Sequence, residues 1–134
     1  FARPRIGVAA LNPHASDGGL LGDEEERQIA PAVREAQAAG IEATGPVPAD
    51  TIFNQAIDGK FDAVLAMYHD QGQIATKLLG FNKGVTVTAG LKTVFTPPAH
   101  GTAFDILGQG KADPGALEYA VRLAATLAGA TSRH

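Results

Sequence analysis

Two short apolar runs, each followed by a polar cluster that contains a histidine, constrain the possible folds of this chain most strongly. The first run covers residues 5–11 and leads to His14, and the second covers residues 61–67 and leads to His69. Nearly continuous apolar runs of this length are typical of strands buried on both faces of a parallel sheet. Because ligands bind beyond the carboxyl ends of such strands, both histidines are predicted to lie at that sheet edge.

Helical patterns alternate with these strands, which indicates an α/β fold with a mostly parallel sheet flanked by helices. Asp23 and Glu26 have the spacing of a capping box, and Pro31 predicts either a kink or separate first turns in the helix that follows. Asp50 is expected to cap a second helix that ends before Gly59. The other predicted elements are strands at 41–43, 85–88 and 93–96, a loop at 46–48, a helix at 74–79, a largely buried helix from Pro114, and a frayed tail at 131–134.

The composition is that of a globular, cysteine-free and mildly acidic chain. Hydrophobic residues make up 45% of the 134 positions and charged residues 19%, which argues against disorder. Eleven basic and 14 acidic residues give a net charge of −3, so the basic surface that nucleic-acid binding needs is lacking. With no cysteine and no apolar run near the roughly 18 residues of a membrane span, we expect a cytoplasmic protein without a membrane or nucleic-acid partner.

The two histidines could share a divalent metal ion at the sheet edge. Asp17 and Asp70, which follow them closely, could act as further ligands or as hydrogen-bonding partners of the imidazoles. The alternative is that both are loop histidines with ordinary hydrogen bonds. Two protein ligands are also fewer than the three that a catalytic zinc site usually has.

Two other features are candidates for ligand binding. The glycine-rich residues 100–114 would let the backbone approach a ligand closely, and Asp105 could accept hydrogen bonds from ribose hydroxyls. The alternative is a plain connection that ends in a helix cap. Lys77 could bind an anionic substrate group or take part in proton transfer, although most lysines in such positions are solvated surface residues.

Four segments form motifs when they are taken together: Leu11-Asn12-Pro13-His14-Ala15, Gly45-Pro46-Val47-Pro48-Ala49-Asp50-Thr51, Leu65-Ala66-Met67-Tyr68-His69-Asp70-Gln71-Gly72 and His100-Gly101-Thr102-Ala103. In order and spacing they resemble the C-terminal part of the 4-hydroxythreonine-4-phosphate dehydrogenase (PdxA) family of vitamin B6 biosynthesis. The resemblance implies part of an isocitrate/isopropylmalate dehydrogenase-like fold. Residues 1–95 would then belong to the metal, substrate and dimerisation domain. Residues 96–134 would form a nucleotide loop and a helix that packs on an N-terminal domain outside this chain.

The resemblance also implies an activity: metal- and NAD-dependent oxidation, with decarboxylation, of 4-phosphohydroxy-L-threonine or a related hydroxy acid. His14 and His69 would bind the metal ion. Zinc is the expected metal, with magnesium, manganese and cobalt as alternatives. Asp50, Asp70 and Lys77 would be catalytic, and Lys77 would also contact the acidic substrate. The cofactor, with NADP as the alternative to NAD, would contact His100, Gly101, Thr102 and Asp105. The family also implies a homodimer.

Two positions depart from the family pattern. Thr86 stands in place of a substrate-binding asparagine, and Phe95 in place of a substrate-binding arginine, which removes a bidentate anchor for phosphate or carboxylate. One alternative is therefore a PdxA-like catabolic dehydrogenase of a dihydrodiol acid, such as terephthalate cis-dihydrodiol, or of a phosphorylated sugar acid. The family's GxPxGIGPE-type segment and third metal histidine are not in this sequence, so we expect a fragment. A non-catalytic dimerisation module is the remaining alternative.

Overall fold

A parallel sheet with helices is the main architectural feature of the computed structural model, which describes residues 2–131. The described chain divides into two compact units, Phe1–Ala75 and Thr76–His134. The sheet lies in the first unit and confirms the predicted α/β class. The predicted boundary at residue 95 between a metal and substrate domain and a nucleotide segment stays a prediction. The predicted frayed tail, residues 131–134, lies outside the described range except for Thr131. No helix within residues 2–131 has the length and hydrophobicity needed to span a bilayer.

The middle strand of the sheet supplies side chains to two separate cores. Strands β1 (Ile6–Ala9), β2 (Ala43–Val47) and β3 (Ala63–Leu65) are parallel and have the order β2-β1-β3. Successive residues of a strand point to opposite faces, so Val8 and Ala9 pack on different layers. Val8 packs with Ile29, Val33 and Ala43, whereas Ala9 packs with Ile52 and Phe61. The apolar residues beyond the ends of β1 and β3 had predicted longer strands.

The first helix begins differently from the sequence prediction. A π-helical turn at Glu25–Ile29 leads into α1 (Ala30–Ala38), with Pro31 in the first turn of α1. The turns before Pro31 differ from α1 in their hydrogen-bonding pattern, because proline cannot donate a hydrogen bond to the turn before it. The backbone stays helical through Ile29 and Ala30, so the first turns are not split from the rest of the helix. The predicted capping box is wrong, since no side chain caps this helix and the Asp23 carboxylate accepts a hydrogen bond from the Arg27 guanidinium at 3.3 Å instead.

Three further boundaries differ from those predicted. β2 continues through Pro46, where a loop was predicted; β2 is an edge strand with a register shift opposite β1, and proline is tolerated there. Asp50 does not cap α2 (Ile52–Ile57), whose N-cap is Thr51 and which has no side-chain cap. Helix α3 (His69–Gly80) begins five residues before the predicted 74–79 helix. It begins early because a side chain from its first turn, Gln71, accepts the Met67 N–H at 2.8 Å, much like the second half of a capping box.

Two extended segments of the second unit pair only briefly. Residues 84–88 and 95–99 run antiparallel and form one isolated bridge, between Val85 and Pro98. The strands predicted at 85–88 and 93–96 therefore do not form as regular strands. The physical reason is that Pro97 and Pro98 have no N–H groups. Hydrogen-bond donation from this segment is interrupted at both prolines, although the Ala99 N–H donates to the carbonyl of Gly84 at 2.9 Å.

The last helix of the described chain is less buried than predicted. Helix α4 (Gly115–Thr131) begins directly after Pro114, as expected, and the Asp113 carboxylate accepts the Gly115 N–H at 2.8 Å. One face is covered, where Ala116 and Ala120 are buried, but Leu117 and Val121 on another face are 54% and 61% exposed. Apolar residues on several sides of the helix predicted that more than one face would be buried. Within its own unit, the face with Ala116 and Ala120 is covered.

An ion pair joins the starting ends of β1 and β3. The Arg5 guanidinium donates to both carboxylate oxygens of Asp62 at 2.9 and 3.0 Å, and the Arg5 N–H donates to the same carboxylate at 2.8 Å. These hydrogen bonds lower the pKa of Asp62 to about 2, from an ordinary 3.8. The ionised carboxylate is therefore the form that the folded state favours.

We expect Asp62→Asn to lower the urea midpoint of the protein at neutral pH. Because the pKa is depressed in the folded state, the contribution of Asp62 is fully present above its ordinary value of 3.8 and is lost as the pH falls through about 2. The difference between the variant and the wild type should consequently shrink from pH 4 to pH 2. Asp23→Asn is the control, since its pair with Arg27 is largely exposed and should contribute little at any pH. A difference that is constant from pH 7 to pH 2 would contradict the prediction.

Candidate active site

The segment that carries His14 is a tight, strained turn after β1. The side-chain oxygen of Asn12 accepts the N–H of His14 at 3.0 Å and that of Ser16 at 3.2 Å. Three consecutive residues, Ala15, Ser16 and Asp17, have φ of 49°, 63° and 48°, a left-handed conformation that non-glycine residues adopt only when their surroundings enforce it. Such strain clusters at functional sites, and here it follows directly after an exposed imidazole.

His69 opens helix α3 just beyond the end of β3. Its Nδ1 lies 2.8 Å from Oδ1 of Asp70, and both side chains are about three-quarters exposed. If Nδ1 carries the proton, it donates to the carboxylate and leaves Nε2 as the free donor atom of the ring. Metal-binding histidines are commonly oriented in this way by a carboxylate.

Parallel pairing brings the predicted metal and acidic residues of the first unit to one sheet edge. β1 is followed by His14, β2 by Asp50 and β3 by His69 and Asp70, and the carboxyl ends of these three strands point the same way. Asp50 is exposed in the turn between β2 and α2. The location predicted from the two apolar runs thus agrees with the topology, while the roles of these residues stay predictions.

The donor set fits a divalent cation in its chemistry. Two exposed imidazoles, one of them held by a carboxylate, are ligands that zinc and its neighbours accept. Within residues 2–131 no group of three histidine, cysteine or acidic side chains is close enough to hold a metal ion. A metal ion bound by His14 and His69 would therefore need further ligands from beyond this set.

Two of the three predicted substrate residues, Thr86 and Phe95, lie on the two paired segments of the second unit. The Thr86 N–H donates to the carbonyl of Pro97 at 2.9 Å, and the Thr88 N–H donates to the carbonyl of Phe95 at 3.1 Å. This pairing places Thr86 and Phe95 two positions apart across the two segments, and both are exposed. Lys77 is exposed in the second half of α3.

A cavity of about 460 Å³ lies beside the glycine-rich segment of the second unit. Of the four predicted cofactor residues, His100 and Gly101 line it, whereas Thr102 and Asp105 are exposed positions that are not in its wall. The Nδ1 atom of His100 is 2.9 Å from the carbonyl oxygen of Gly101. The remaining lining residues are Phe81, Asn82, Ala103, Ile106, Lys111, Ala112, Asp113 and Ala116.

Sequence reasoning missed two polar residues that are built into the sheet edge. Glu25 is only 3% exposed, and its Oε1 accepts the N–H of Leu11 at 2.9 Å. Glu25, Ile29 and Val33 share one helical face, a spacing that could have identified it as buried. Gln71 lies within one of the four motifs, and no pattern in the sequence indicates that its side chain reaches Ala10.

Comparison with known proteins shows which family this chain resembles in sequence. A family model described as "Pyridoxal phosphate biosynthetic protein PdxA" matches residues 1–124. A 4-hydroxythreonine-4-phosphate dehydrogenase of Beijerinckia indica is 59% identical over 127 residues, which are 92% of this chain and 38% of that protein. A D-threonate 4-phosphate dehydrogenase of Salmonella typhimurium is 52% identical over 96% of this chain and 39% of its own length.

Solved structures support the same relationship. The crystal structure of 4-hydroxythreonine-4-phosphate dehydrogenase from Klebsiella pneumoniae matches with a TM-score of 0.80 and 54% identity, covering 92% of this chain and 38% of that one. A terephthalate 1,2-cis-dihydrodiol dehydrogenase from Burkholderia xenovorans matches with a TM-score of 0.66 and 36% identity, over 92% and 39%. This chain spans about two fifths of the length of these relatives. The family match over residues 1–124 confirms the resemblance seen in the motifs: the chain belongs to the PdxA family.

Proposed function

We propose that the protein containing this chain is a metal- and NAD-dependent dehydrogenase that oxidises a secondary alcohol of a small phosphorylated hydroxy acid. The observation behind this proposal is that His14 and His69 follow neighbouring parallel strands at one sheet edge, with Asp70 beside the His69 ring. The names of two relatives, 4-hydroxythreonine-4-phosphate dehydrogenase and D-threonate 4-phosphate dehydrogenase, support the substrate class. The proposal includes decarboxylation of the resulting keto acid, a role in pyridoxal phosphate biosynthesis, a homodimer and a cytoplasmic location.

Each predicted site residue would have a separate role in the reaction. A bound divalent cation would supply a Lewis acid that polarises the substrate hydroxyl and lowers its pKa. Asp70 would accept a hydrogen bond from Nδ1–H of His69 and thereby fix the ring with Nε2 as the ligand atom. Asp50 offers a carboxylate that could take the hydroxyl proton while hydride leaves for the cofactor. Lys77 offers a cation to the carboxylate or phosphate of the substrate.

The cavity of the second unit supports a nucleotide cofactor. Its wall combines apolar surface from Phe81, Ala103 and Ile106, which suits a flat ring, with the charged side chains of Lys111 and Asp113. A volume of about 460 Å³ is in the range of small-molecule pockets. On this basis we propose NAD as the cofactor, with contacts from His100 and Gly101. Thr102 and Asp105 stay predicted cofactor contacts outside the wall of the cavity.

A second candidate function rests on Phe95. An aromatic ring that is 55% exposed stands where the family pattern has an arginine, so the site would lose an anchor for phosphate and gain apolar surface. That change would suit a dihydrodiol acid. The lower identity to the terephthalate dihydrodiol dehydrogenase, 36% against 54% for the Klebsiella enzyme, favours the phosphorylated substrate.

Turnover by the complete protein tests the proposal. NADH formation with added zinc would be compared for 4-phosphohydroxy-L-threonine, D-threonate 4-phosphate and a non-phosphorylated dihydrodiol acid. Turnover with either phosphorylated acid supports the proposal, and the relative rates show which of these two acids is the better substrate. Turnover with only the dihydrodiol acid would replace it by the second candidate, and no metal-dependent NADH formation with any of them would overturn both.

We expect Phe95→Arg to raise kcat/KM for the phosphorylated substrate. A guanidinium at this exposed position can form two parallel hydrogen bonds with a phosphate or carboxylate, and a charge-assisted bond of this kind contributes about 1.5–3 kcal/mol, or roughly a tenfold to hundredfold gain. The measurement is kcat/KM of the complete protein for each substrate. Phe95→Leu is the control, since it removes the ring without adding charge. An unchanged substrate ranking in the arginine variant would show that Phe95 is not at the anchor position.

A further inference from the structure

One peptide group at the end of β1 is held from both sides by side chains of two different helical segments. Its N–H, that of Leu11, donates to Oε1 of Glu25 at 2.9 Å. Its carbonyl, that of Ala10, accepts a hydrogen bond from Nε2 of Gln71 at 2.9 Å. Both hydrogen bonds lie within the first unit, three residues before His14. The peptide group that precedes the histidine turn is therefore fixed in orientation by side chains and not only by the sheet.

Gln71 also holds the other histidine segment. Its Oε1 accepts the N–H of Met67 at 2.8 Å, two residues before His69. A single amide thus joins the chain beyond β1 to the chain beyond β3, past the point where regular strand pairing ends at Val8 and Leu65. Gln71 is partly buried at this position, whereas the two histidines are exposed.

Glu25 supports the same peptide group at an energetic cost. The residue is 3% exposed, and its second oxygen, Oε2, has no hydrogen-bonding partner among residues 2–131. Burial of a carboxylate with one of its oxygens unpartnered is unfavourable. Packing alone would be served better by an apolar side chain, since Ile29 and Val33 occupy the same helical face.

From this geometry we propose that Gln71 is a positioning residue, supported by Glu25, that sets the spacing of the His14 and His69 segments for a shared divalent metal ion. The inference rests on the proposed function. The proposed function names the metal ligands, whereas this inference assigns their spacing to a side-chain amide that binds neither metal nor substrate. Outer partners of metal ligands typically change metal affinity by about 10- to 100-fold.

Titration of the complete, metal-free protein with cobalt(II) alone tests this inference. The d–d absorption of the bound ion reports its coordination, and the same titration gives its affinity. Gln71→Met keeps the length of the side chain and removes both hydrogen bonds, and Gln71→Glu keeps the acceptor for Met67 but loses the donor to Ala10. We expect both variants to bind cobalt about 10- to 100-fold more weakly with an altered spectrum, an unchanged stoichiometry and an unchanged far-ultraviolet circular dichroism spectrum. Gln73→Met, on the same helix, should bind like the wild type.

The outcomes separate this inference from the proposed function. If the wild type binds cobalt and His14→Ala abolishes binding, yet both Gln71 variants match the wild type, only the positioning inference is overturned. If His14→Ala has no effect on cobalt binding, the metal site itself is wrong. Loss of folded protein in both Gln71 variants would also overturn the inference, because the amide would then be required for the fold as a whole.

Discussion

His14→Ala and His69→Ala are each expected to lower the zinc affinity of the complete protein by more than 100-fold and to abolish metal-dependent NADH formation. The two imidazoles follow neighbouring strands of one sheet and are the two metal ligands predicted at that edge. The loss of an outer partner alone costs about 10- to 100-fold in affinity, so the loss of a ligand should cost more. Isothermal titration with zinc and the initial rate of NADH formation measure the two effects.

Two further variants make this prediction specific. Asp70→Asn keeps the size of the side chain but weakens the hydrogen bond to Nδ1 of His69, so it should reduce zinc affinity by only about 10- to 100-fold. His100→Ala removes a histidine from the cavity of the second unit, so it should leave zinc affinity unchanged and raise the KM for NAD. Wild-type activity of His14→Ala or His69→Ala at low zinc would show that the metal ion is bound elsewhere.

The position of the candidate site was predictable from the sequence because two physical rules act together. Buried parallel strands have continuous apolar runs, and their carboxyl ends share an edge. Residues 5–11 and 61–67 satisfied the first rule, so His14 and His69 could be assigned to one edge before any pairing was known. Spacing alone left two alternatives open, a metal site or ordinary loop histidines. The family motifs then favoured the metal site.

The parts that were not predictable depend on which tertiary partner a polar side chain finds. Asp23 and Asp50 have the residue type of helix caps, but Asp23 pairs with Arg27 and Asp50 stays in an exposed turn. Glu25 belongs to an acidic run in the sequence, yet its side chain is buried and accepts the N–H of Leu11 at 2.9 Å. Such side chains can form several local hydrogen bonds of similar energy. The three-dimensional arrangement decides which of them forms.

Close approach of β2 to β1 makes Gly45 the position at which a small substitution should most disturb the sheet. A Cβ atom at residue 45 would lie 2.5 Å from the carbonyl oxygen of Val8 and 2.8 Å from its Cβ. The obstructing oxygen belongs to the middle strand, which is paired on both sides and cannot move without breaking the sheet. The neighbouring Gly7 has a similar restriction, but there the obstacle is the side-chain ring of Phe61, which can rotate or shift.

We expect Gly45→Ala to lower the free energy of unfolding of the complete protein by about 3 kcal/mol, at the upper end of the usual cost of overpacking. Urea denaturation followed by circular dichroism measures this change. Gly129→Ala is the matched control: its Cβ would meet nothing within 4 Å, and alanine in a helix should be neutral or stabilising by up to about 1 kcal/mol. If Gly45→Ala were as stable as the wild type, β2 could not lie this close to β1. Asp50 lies three residues after the end of β2, so its place at the histidine edge depends on the same contact. If Gly45→Ala retains its fold, it should therefore also show reduced turnover.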